Sequence, residues 1–409
     1  MLNGTFQKVK AYKNLGVFNY AQSLKKKNIY GTIKVKNYEK IGHKLSWYNF
    51  LASINYKLKN KISTHFENKT SSILIALLFG DKGEIENDVR YNIQENGLSH
   101  IFAISGMHVS CIILFLQKSL DVLSEDKRKK QYTIIVSLII YSLIIGFMAS
   151  SMRAVVMTIM AITAKLVYRH NDNLTGMSIA SLIILIVNPY YLIDSGFILS
   201  FAATIGIIYI HPKIKKVKTN SKIIRYLLDI FTVGLAVNIT IFPISIYLFK
   251  KISISFLFTG FILVPLVFAL EIIGIILLIL PSFLVQLLIP LANYLVAILL
   301  RVSQINLGRF YFKVPIIFEI IIYYLVLFLI LNKNSRKILK KIIKKLICFL
   351  LIMSIIITLK PYIFRQLQVF LIDVGQGDCT LIKTPQNKTI LIDGGGDEHS
   401  DIGESVLIP

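Results

Sequence analysis

The stretch SISFLFTGFILVPLVFALEIIGIILLILP, residues 253–281, decides the fold class of this chain. It exceeds the length of about 18 apolar residues that a helix needs to cross the hydrocarbon core of a bilayer. Similar runs recur along most of the 409 residues, of which 55% are hydrophobic and only 17% are charged. A soluble protein with so many apolar runs would lack the polar surface that keeps it in solution. The sequence therefore predicts a predominantly α-helical polytopic membrane protein.

Hydropathy predicts about nine to eleven membrane spans. Residues 253–281 are predicted as one span or as two shorter pieces around Pro265, where a helix can break. The predicted spans lie near 98–118, 131–150, 152–168, 176–193, 196–212, 227–249, 253–281, 283–300, 314–331 and 346–364.

Lysine and arginine are concentrated in predicted loops, which accounts for part of the net charge of +24. The basic loops are DKRKK (126–130), KIKKVK (213–218) with KIIR after it, and NKNSRKILKKIIKK (332–345). Because cytoplasmic loops carry the excess of positive charge, the last cluster is predicted to be cytoplasmic and the residues after the final span to lie outside. No cleavable signal peptide is visible at the start. The three cysteines are far apart and predict neither a disulfide framework nor a metal site.

Residues 1–70 differ from the rest, since they carry 14 lysines against two glutamates. Alternating stretches such as YGTIKVKNY read as strands of a small β domain, and KLSWYNFLASINYKLKNKIS has helical spacing. Lysines interleaved with tyrosine and phenylalanine suit binding of single-stranded nucleic acid. A basic face beside anionic lipid is an equally good interpretation.

Residues 367–409 change pattern again, to short apolar strands separated by glycine-rich and Pro-Gln-Asn turns. QVFLIDVGQGD, CTLIKTP and QNKTILIDGGGD are predicted to open a soluble β-containing domain. About 40 residues are too few to bury a core of their own. The sequence is therefore expected to be a fragment of something longer.

Three clusters of polar and small residues interrupt the apolar runs. In AISGMHVS, Gly106 permits close helix approach or a break, while Ser105 and His108 offer hydrogen-bonding groups at membrane depth. These residues either knit neighbouring helices together or line a polar path. In SSMRAVVM, Arg153 is the single charge between Lys130 and Lys165. It either snorkels at a tight turn or faces a pore.

The third cluster is NPYYLIDSGFILSFAATIG, residues 188–206. Asn188 and Pro189 are predicted to end one helix, and Asp194 with Gly196 to start the next. Ser200 lies one turn further in. The pattern is that of an ordinary helix cap, and a pore element is the alternative.

Together, in this order, the three clusters resemble the competence domain of the ComEC family, a bacterial inner-membrane channel for DNA uptake in natural transformation. NLGVFNYAQSLKKKNIYGTIKV (14–35) is similar to the OB-like extracytoplasmic domain of that family, although Leu15 stands where proline is frequent. FLIDVGQGDCTLI and KTILIDGGG resemble the first strands of its metallo-β-lactamase-like nuclease domain. The resemblance implies a partial OB-like domain with a connecting helix in 1–70, a channel domain in 71–366 and a truncated nuclease domain in 367–409.

The resemblance also implies functional residues. In the channel domain they are Ser105, Gly106, His108, Arg153, Asn188, Pro189, Asp194, Gly196 and Ser200. In the nuclease-like segment they are Asp373, Gln376, Asp378 and Asp393, of which the first three are equally explained as strand-end turn residues. Lys25, Lys26, Lys27, Lys34 and Lys36 are expected to contact DNA.

No HxHxDH-type motif occurs in the sequence, so this chain is expected to hold no metal and to have no nuclease activity. A divalent metal such as zinc or manganese is implied only for the rest of the nuclease region. The implied partners are single-stranded DNA, the lipid bilayer, a competence DNA receptor, a cytoplasmic helicase and further copies of the chain. Both soluble segments are expected outside the bacterial inner membrane.

Two other function classes remain open on the residues alone. A secondary transporter would show binding groups near mid-membrane in inverted halves, and no such repeat is visible. A membrane-anchored, metal-dependent nuclease would need the histidine motif that the chain does not contain.

Overall fold

The computed structural model describes residues 2–9, 20–25, 29–39, 46–98, 101–102, 104–123, 125–170, 172–214, 221–253, 255–305, 308–332, 337–363, 366–374, 377–386 and 388–395. The described part is mostly helical and contains small antiparallel sheets. The helical class predicted from the sequence is therefore confirmed, while the OB-like and metallo-β-lactamase-like domains remain predictions.

The helices in the described residues have the following bounds. They are α1 (Tyr20–Lys25), α2 (Trp47–Ser63), α3 (Asn68–Phe79), α4 (Asn87–Glu95), α5 (Gly106–Leu123), α6 (Lys127–Ile145), α7 (Ala149–Leu166), α8 (Asn173–Val187), α9 (Ser195–Ile205), α10 (His211–Ile214), α11 (Lys222–Phe249), α12 (Ser255–Ile279), α13 (Ser282–Val285), α14 (Ile289–Ser303), α15 (Ile317–Leu331) and α16 (Lys337–Ile363). A 3-10 turn, Pro189–Ile193, links α8 to α9, and a π-helical turn, Gly206–Ile210, joins α9 to α10 without a break.

Three antiparallel sheets accompany the helices in the described residues. Strand β1 (Leu2–Lys8) pairs with β2 (Gly31–Tyr38), and β3 (Lys251–Ser253) pairs with β4 (Arg309–Tyr311). The third sheet has the order β5 (Gln368–Leu371), β6 (Thr380–Lys383) and β7 (Thr389–Ile392). Strands were predicted for YGTIKVKNY and for the three C-terminal segments, and they are confirmed.

The chain divides into two compact units. One consists of Lys44–Pro315, and the other of Met1–His43 together with Ile316–Pro409. In the second of these, α15 packs against α16, and Ser354 of α16 donates a hydrogen bond to Glu319 of α15 at 3.2 Å. These units are defined by contacts within the chain and do not test the predicted domain boundaries at residues 70 and 366, which stay predictions.

The core of the unit Lys44–Pro315 is built around α3. Every residue of this helix from Thr70 to Phe79 is buried, and α2, α12 and α14 pack on it. The contact with α12 is close, because a Cβ on Gly274 would lie 2.6 Å from Cδ1 of Leu78. A short helix that is apolar all round belongs inside a bundle rather than on its surface.

Four helices in the described residues are long and apolar enough, by length and composition, to cross a membrane. They are Gly106–Leu123, Ser195–Ile214, Leu228–Phe249 and Ile262–Ile279. Shorter apolar helices are Asn68–Phe79, Asn173–Val187, Ile289–Ser303 and Ile317–Leu331. The structure therefore supports a membrane protein, whereas the count of about nine to eleven spans stays a prediction.

Several predicted boundaries are wrong. The span predicted from residue 98 begins at Gly106, because Ser105 caps the helix there. The span 283–300 is interrupted by a turn between α13 and α14. The basic loop 332–345 is helical from Lys337 onward, since lysine and isoleucine are compatible with a helix whose apolar part lies further along.

Pro265 does not divide the segment 253–281 into two pieces. It lies inside α12, which continues through it. Neighbouring helices allow proline to be tolerated within apolar helices of this kind.

Candidate functional site around His108 and Arg153

The start of α5 is closed by a reciprocal pair of side-chain hydrogen bonds. Ser105 precedes the helix, and its Oγ accepts from the backbone N–H of Met107 at 3.3 Å. The backbone N–H of Ser105 donates to Nδ1 of His108 at 3.1 Å. This is a variant of the capping box, in which the serine oxygen accepts from the second helical residue and histidine takes the place of glutamate or glutamine. The motif Ser-Gly-Met-His therefore fixes where α5 begins and how the imidazole is oriented.

Arg153, on α7, is bound by hydroxyl groups of the neighbouring helix α9. Its Nε donates to Oγ of Ser200 at 2.8 Å, and its Nη1 donates to Oγ1 of Thr204. Nη2 lies near Gly106, where an added Cβ would be 3.5 Å away. A side chain there would make an ordinary van der Waals contact with the guanidinium, so the first turn of α5 borders Arg153 directly. Three of the predicted site residues, Gly106, Arg153 and Ser200, are thus brought together.

No carboxylate pairs with Arg153 among the residues that the structure describes. A guanidinium carries five N–H donors and suits carboxylate and phosphate oxygens. Serine and threonine hydroxyls solvate it without cancelling its charge. The arrangement therefore leaves a partly buried positive charge that can attract an anion.

Glu271 is the functional candidate that the sequence interpretation missed. It lies on α12, and its Oε1 is 3.1 Å from Nε2 of His108, with both side chains almost fully buried (3% and 1% exposed). Cys111, one turn along α5 from His108, lies beside the same carboxyl group. A single acidic residue inside the most apolar run of the chain was the signal, because such residues are costly in membranes and usually functional.

The small residues before Arg153 tie α7 to the start of α5. Gly146 ends α6 with φ at 82°, in the left-handed region that glycine adopts without strain. Oγ of Ser150 donates to the carbonyl oxygen of Ile104 at 2.6 Å, and Ser151 is fully buried. These contacts fix the N-terminus of α7, and with it Arg153, next to the capped end of α5.

Asn188, Pro189, Asp194 and Gly196 lie at helix ends, as predicted. Oδ1 of Asn188 accepts from the N–H of Tyr190 at 3.0 Å, and Pro189 begins the 3-10 turn. Oδ2 of Asp194 accepts from the N–H of Phe197 at 3.2 Å and caps α9. These residues position the helix that carries Ser200 and Thr204.

A sequence profile for the family described as Competence protein matches residues 77–337 of the chain, well over half of its length. The chain belongs to this competence protein family. The resemblance to ComEC proteins noted from the three motifs is thereby confirmed.

The competence protein family includes a curated relative that covers the whole chain. It is ComE operon protein 3 of Bacillus subtilis (strain 168), which is 23% identical over 429 residues, covering 100% of this chain and 54% of the relative. Uncharacterized protein MG316 of Mycoplasma genitalium is 24% identical over 173 residues, covering 41% of this chain and 42% of the relative. The chain spans about half the length of these relatives. No solved structure matches it.

The residues predicted for nuclease chemistry lie outside the segment matched by the competence profile. Asp373 and Asp378 are exposed at the ends of β5 and before β6. Asp393 follows β7 with φ at 58°, and its Oδ1 accepts from the N–H of Gly394 at 2.6 Å. Gln376 lies outside the described residues. Within those residues no group of three or more histidine, cysteine or acidic side chains is arranged to hold a metal ion.

The lysines predicted to contact DNA also lie outside that segment. Lys25 ends α1 and is exposed. Lys34 and Lys36 lie on β2 and both are exposed, and a β-bulge in the β1–β2 pairing falls at Lys36. Lys26 and Lys27 lie outside the described residues.

Proposed function

We propose that this competence-family chain forms part of a membrane path for single-stranded DNA taken up during natural transformation. A strand with one negative charge per nucleotide cannot cross hydrocarbon, so it needs a hydrated path with positive and hydrogen-bonding groups. Membership of the family and the name of the Bacillus relative support a role in competence.

The proposal depends on one observation: the guanidinium of Arg153 is held among α5, α7 and α9 by hydrogen bonds to two hydroxyl groups. A charge within an apolar helix costs about 2.5–3.5 kcal/mol on insertion scales, so its retention needs a reason. Transient contact with passing phosphodiester groups provides one, because hydroxyl partners release the guanidinium more readily than a carboxylate would.

The flanking segments extend the proposal. The exposed lysines near the N-terminus collect phosphates outside the membrane by counterion release. The OB-like and metallo-β-lactamase-like assignments, the extracytoplasmic position of both ends and the bacterial inner membrane belong to the same proposal. A DNA receptor, a helicase and further copies of the chain are proposed partners.

Replacing Arg153 in the native gene tests this function. We expect Arg153→Ala to reduce transformation frequency to background, and Arg153→Lys to keep part of it, since lysine retains the charge without the planar fork. Arg169→Ala is the matched control, because Arg169 is an exposed arginine just beyond the same helix. Immunoblots of membrane fractions check that each variant accumulates to the same level. Unchanged transformation by a normally inserted Arg153→Ala protein would overturn the proposal.

A further inference from the structure

His108 and Glu271 form an acid–base pair in the interior of the helical unit. The two side chains come from α5 and α12, and 3.1 Å separates Nε2 from Oε1. The other carboxyl oxygen, Oε2 of Glu271, is buried and has no partner within normal hydrogen-bond geometry among the described residues, although the thiol of Cys111 lies against the carboxyl group. A buried carboxylate with an unsatisfied oxygen is costly, and taking up a proton removes that cost.

The capping bonds define which imidazole nitrogen carries the proton. Ser105 donates its backbone N–H to Nδ1 of His108, and its Oγ lies 3.0 Å from the same nitrogen. A nitrogen that accepts a hydrogen bond carries no proton, so the proton of the neutral ring is on Nε2, toward Glu271. In neutral His108 the protonated Nε2 therefore lies 3.1 Å from Oε1 of Glu271, while Nδ1 accepts at the helix cap.

We propose that His108 and Glu271 form a proton-binding site, and that its occupancy controls the N-terminal cap of α5 beside Arg153. The first proton from water binds Oε2 of Glu271 and leaves the pair uncharged. A second proton binds Nδ1 of His108, gives the pair one positive charge and displaces the Ser105 N–H. This inference goes beyond the proposed function, since its ligand is a proton and it does not require that DNA be carried.

The other ionisable groups around the pair come from α5, α6 and α7. They are the thiol of Cys111, the hydroxyl of Tyr141, which donates to the carbonyl oxygen of Leu78 at 3.1 Å, and the guanidinium of Arg153 next to Gly106. The thiol and the phenol are weak acids that stay neutral when buried, whereas Arg153 stays charged. Arg153 is thus a charged group beside the first turn of α5, whose cap is held by His108.

The helices that pack on α12 from its other sides contribute no further charge to the pair within the described residues. Lys61 of α2 is bound to carbonyl groups at the end of α12, and Lys69 of α3 pairs with Glu86 at the surface. Tyr294 and Arg301 of α14 are exposed.

The cap connects the proton site to Arg153 through one peptide unit. Ser105 holds the capping bonds, and the next residue, Gly106, borders the guanidinium. Loss of the Nδ1 acceptor leaves the Ser105 N–H without its partner, which destabilises the first turn of α5. The first turn of α5 then shifts, and Gly106 moves relative to the guanidinium of Arg153.

Infrared spectroscopy of the full chain in lipid nanodiscs tests the site. Across a pH titration we expect a protonated-carboxyl band that changes with pH, moves in deuterated water and is absent from Glu271→Gln. Glu319→Gln is the matched control and should keep the band, since Glu319 is an acid of another apolar helix. A wild-type spectrum with no such titrating band, or the same band in Glu271→Gln, would overturn the proposal.

His108→Gln tests the coupling without removing the cap. Glutamine at this position is an ordinary capping-box residue, so the fold should persist. Because the imidazole is lost, we expect the pH midpoint of the carboxyl band to move by at least about one unit, tenfold in proton affinity. An unchanged midpoint in a folded His108→Gln protein would show that the two groups do not act as one site.

Discussion

Arg153 and Glu271 are two interior ionisable side chains with very different surroundings. Arg153 is surrounded by hydroxyls and glycine, whereas Glu271 faces an imidazole at 3.1 Å. An interior charge must be paired, hydrogen-bonded or neutralised. Hydroxyl partners leave the arginine charge available to a passing anion, and the imidazole makes the acid responsive to protons.

Sequence reasoning reached part of this site and missed the rest for a physical reason. Ser105, His108 and Arg153 stood out because they are polar residues that interrupt apolar runs within short motifs. Glu271 and Thr204 come from helices that only tertiary packing brings next to those motifs. Pairing across helices is a property of the fold and has no local pattern.

At the scale of one residue, the close packing around Gly206 predicts that a larger side chain there lowers the stability of the fold. A Cβ there would lie 2.8 Å from the carbonyl oxygen of Ala236 and would also meet Oγ1 of Thr240 on α11. Gly206→Ala should therefore force α9 and α11 apart and destabilise the fold by about 1–3 kcal/mol. Thermal unfolding in detergent measures the effect.

Gly234→Ala is the control for Gly206→Ala, because no atom lies within 4 Å of the Cβ position at Gly234. Alanine is the better helix former, so this variant should be neutral or slightly stabilised. Equal unfolding temperatures for the two variants would contradict the close approach at Gly206.

At the scale of secondary-structure elements, the sequence predicts that a helix is present more reliably than it predicts the residue at which the helix begins. The hydropathy of residues 98–118 is continuous, but a polar cap at Ser105 starts α5 later than the apolar run begins. The lysines from residue 337 join α16 because Ile338, Ile342 and Ile343 recur at helical spacing between them. Hydropathy averages over a window, whereas a cap is decided by one side chain.

At the scale of secondary-structure elements, the contact between α2 and the C-terminal end of α12 predicts an effect on stability. Nζ of Lys61, on α2, donates to the carbonyl oxygens of Leu278 and Leu280 at 3.0 and 2.7 Å. A cation at a helix C-terminus satisfies carbonyls that have no partner within the helix. Lys61→Met should therefore destabilise the fold by about 1.5–3 kcal/mol.

Chemical unfolding of the detergent-solubilised protein measures the loss. Lys57→Met is the matched control, since Lys57 is an exposed lysine one turn earlier on α2. Equal stability of the two variants would mean that the bonds from Lys61 do not contribute.

At the scale of the whole molecule, the chain combines a helical unit with exposed basic strands. Lys34 and Lys36 are exposed on β2, next to a β-bulge in its pairing with β1. If both contact phosphates, binding of single-stranded DNA should weaken steeply with salt, and replacing both by glutamine should reduce the slope of log affinity against log salt by about 1.4.

Fluorescence anisotropy of labelled single-stranded DNA with the full chain in nanodiscs measures that slope. Lys127→Gln combined with Lys129→Gln is the control, because these two lysines are also exposed but lie at the start of α6. Equal slopes for the two double variants would contradict a phosphate-binding role for β2.

The central claim is that Arg153 and Ser200 border a hydrated passage, and cysteine labelling in intact membranes tests it most directly. Ser200→Cys and Leu182→Cys are made in a chain whose three native cysteines have been replaced, and a small anionic thiol reagent is added. Leu182 is the control because it lies exposed on the apolar helix α8. We predict that Ser200→Cys is modified, that single-stranded DNA slows the modification, and that Leu182→Cys is not modified. A cysteine at position 200 that reacts only after the membrane is dissolved would contradict the account.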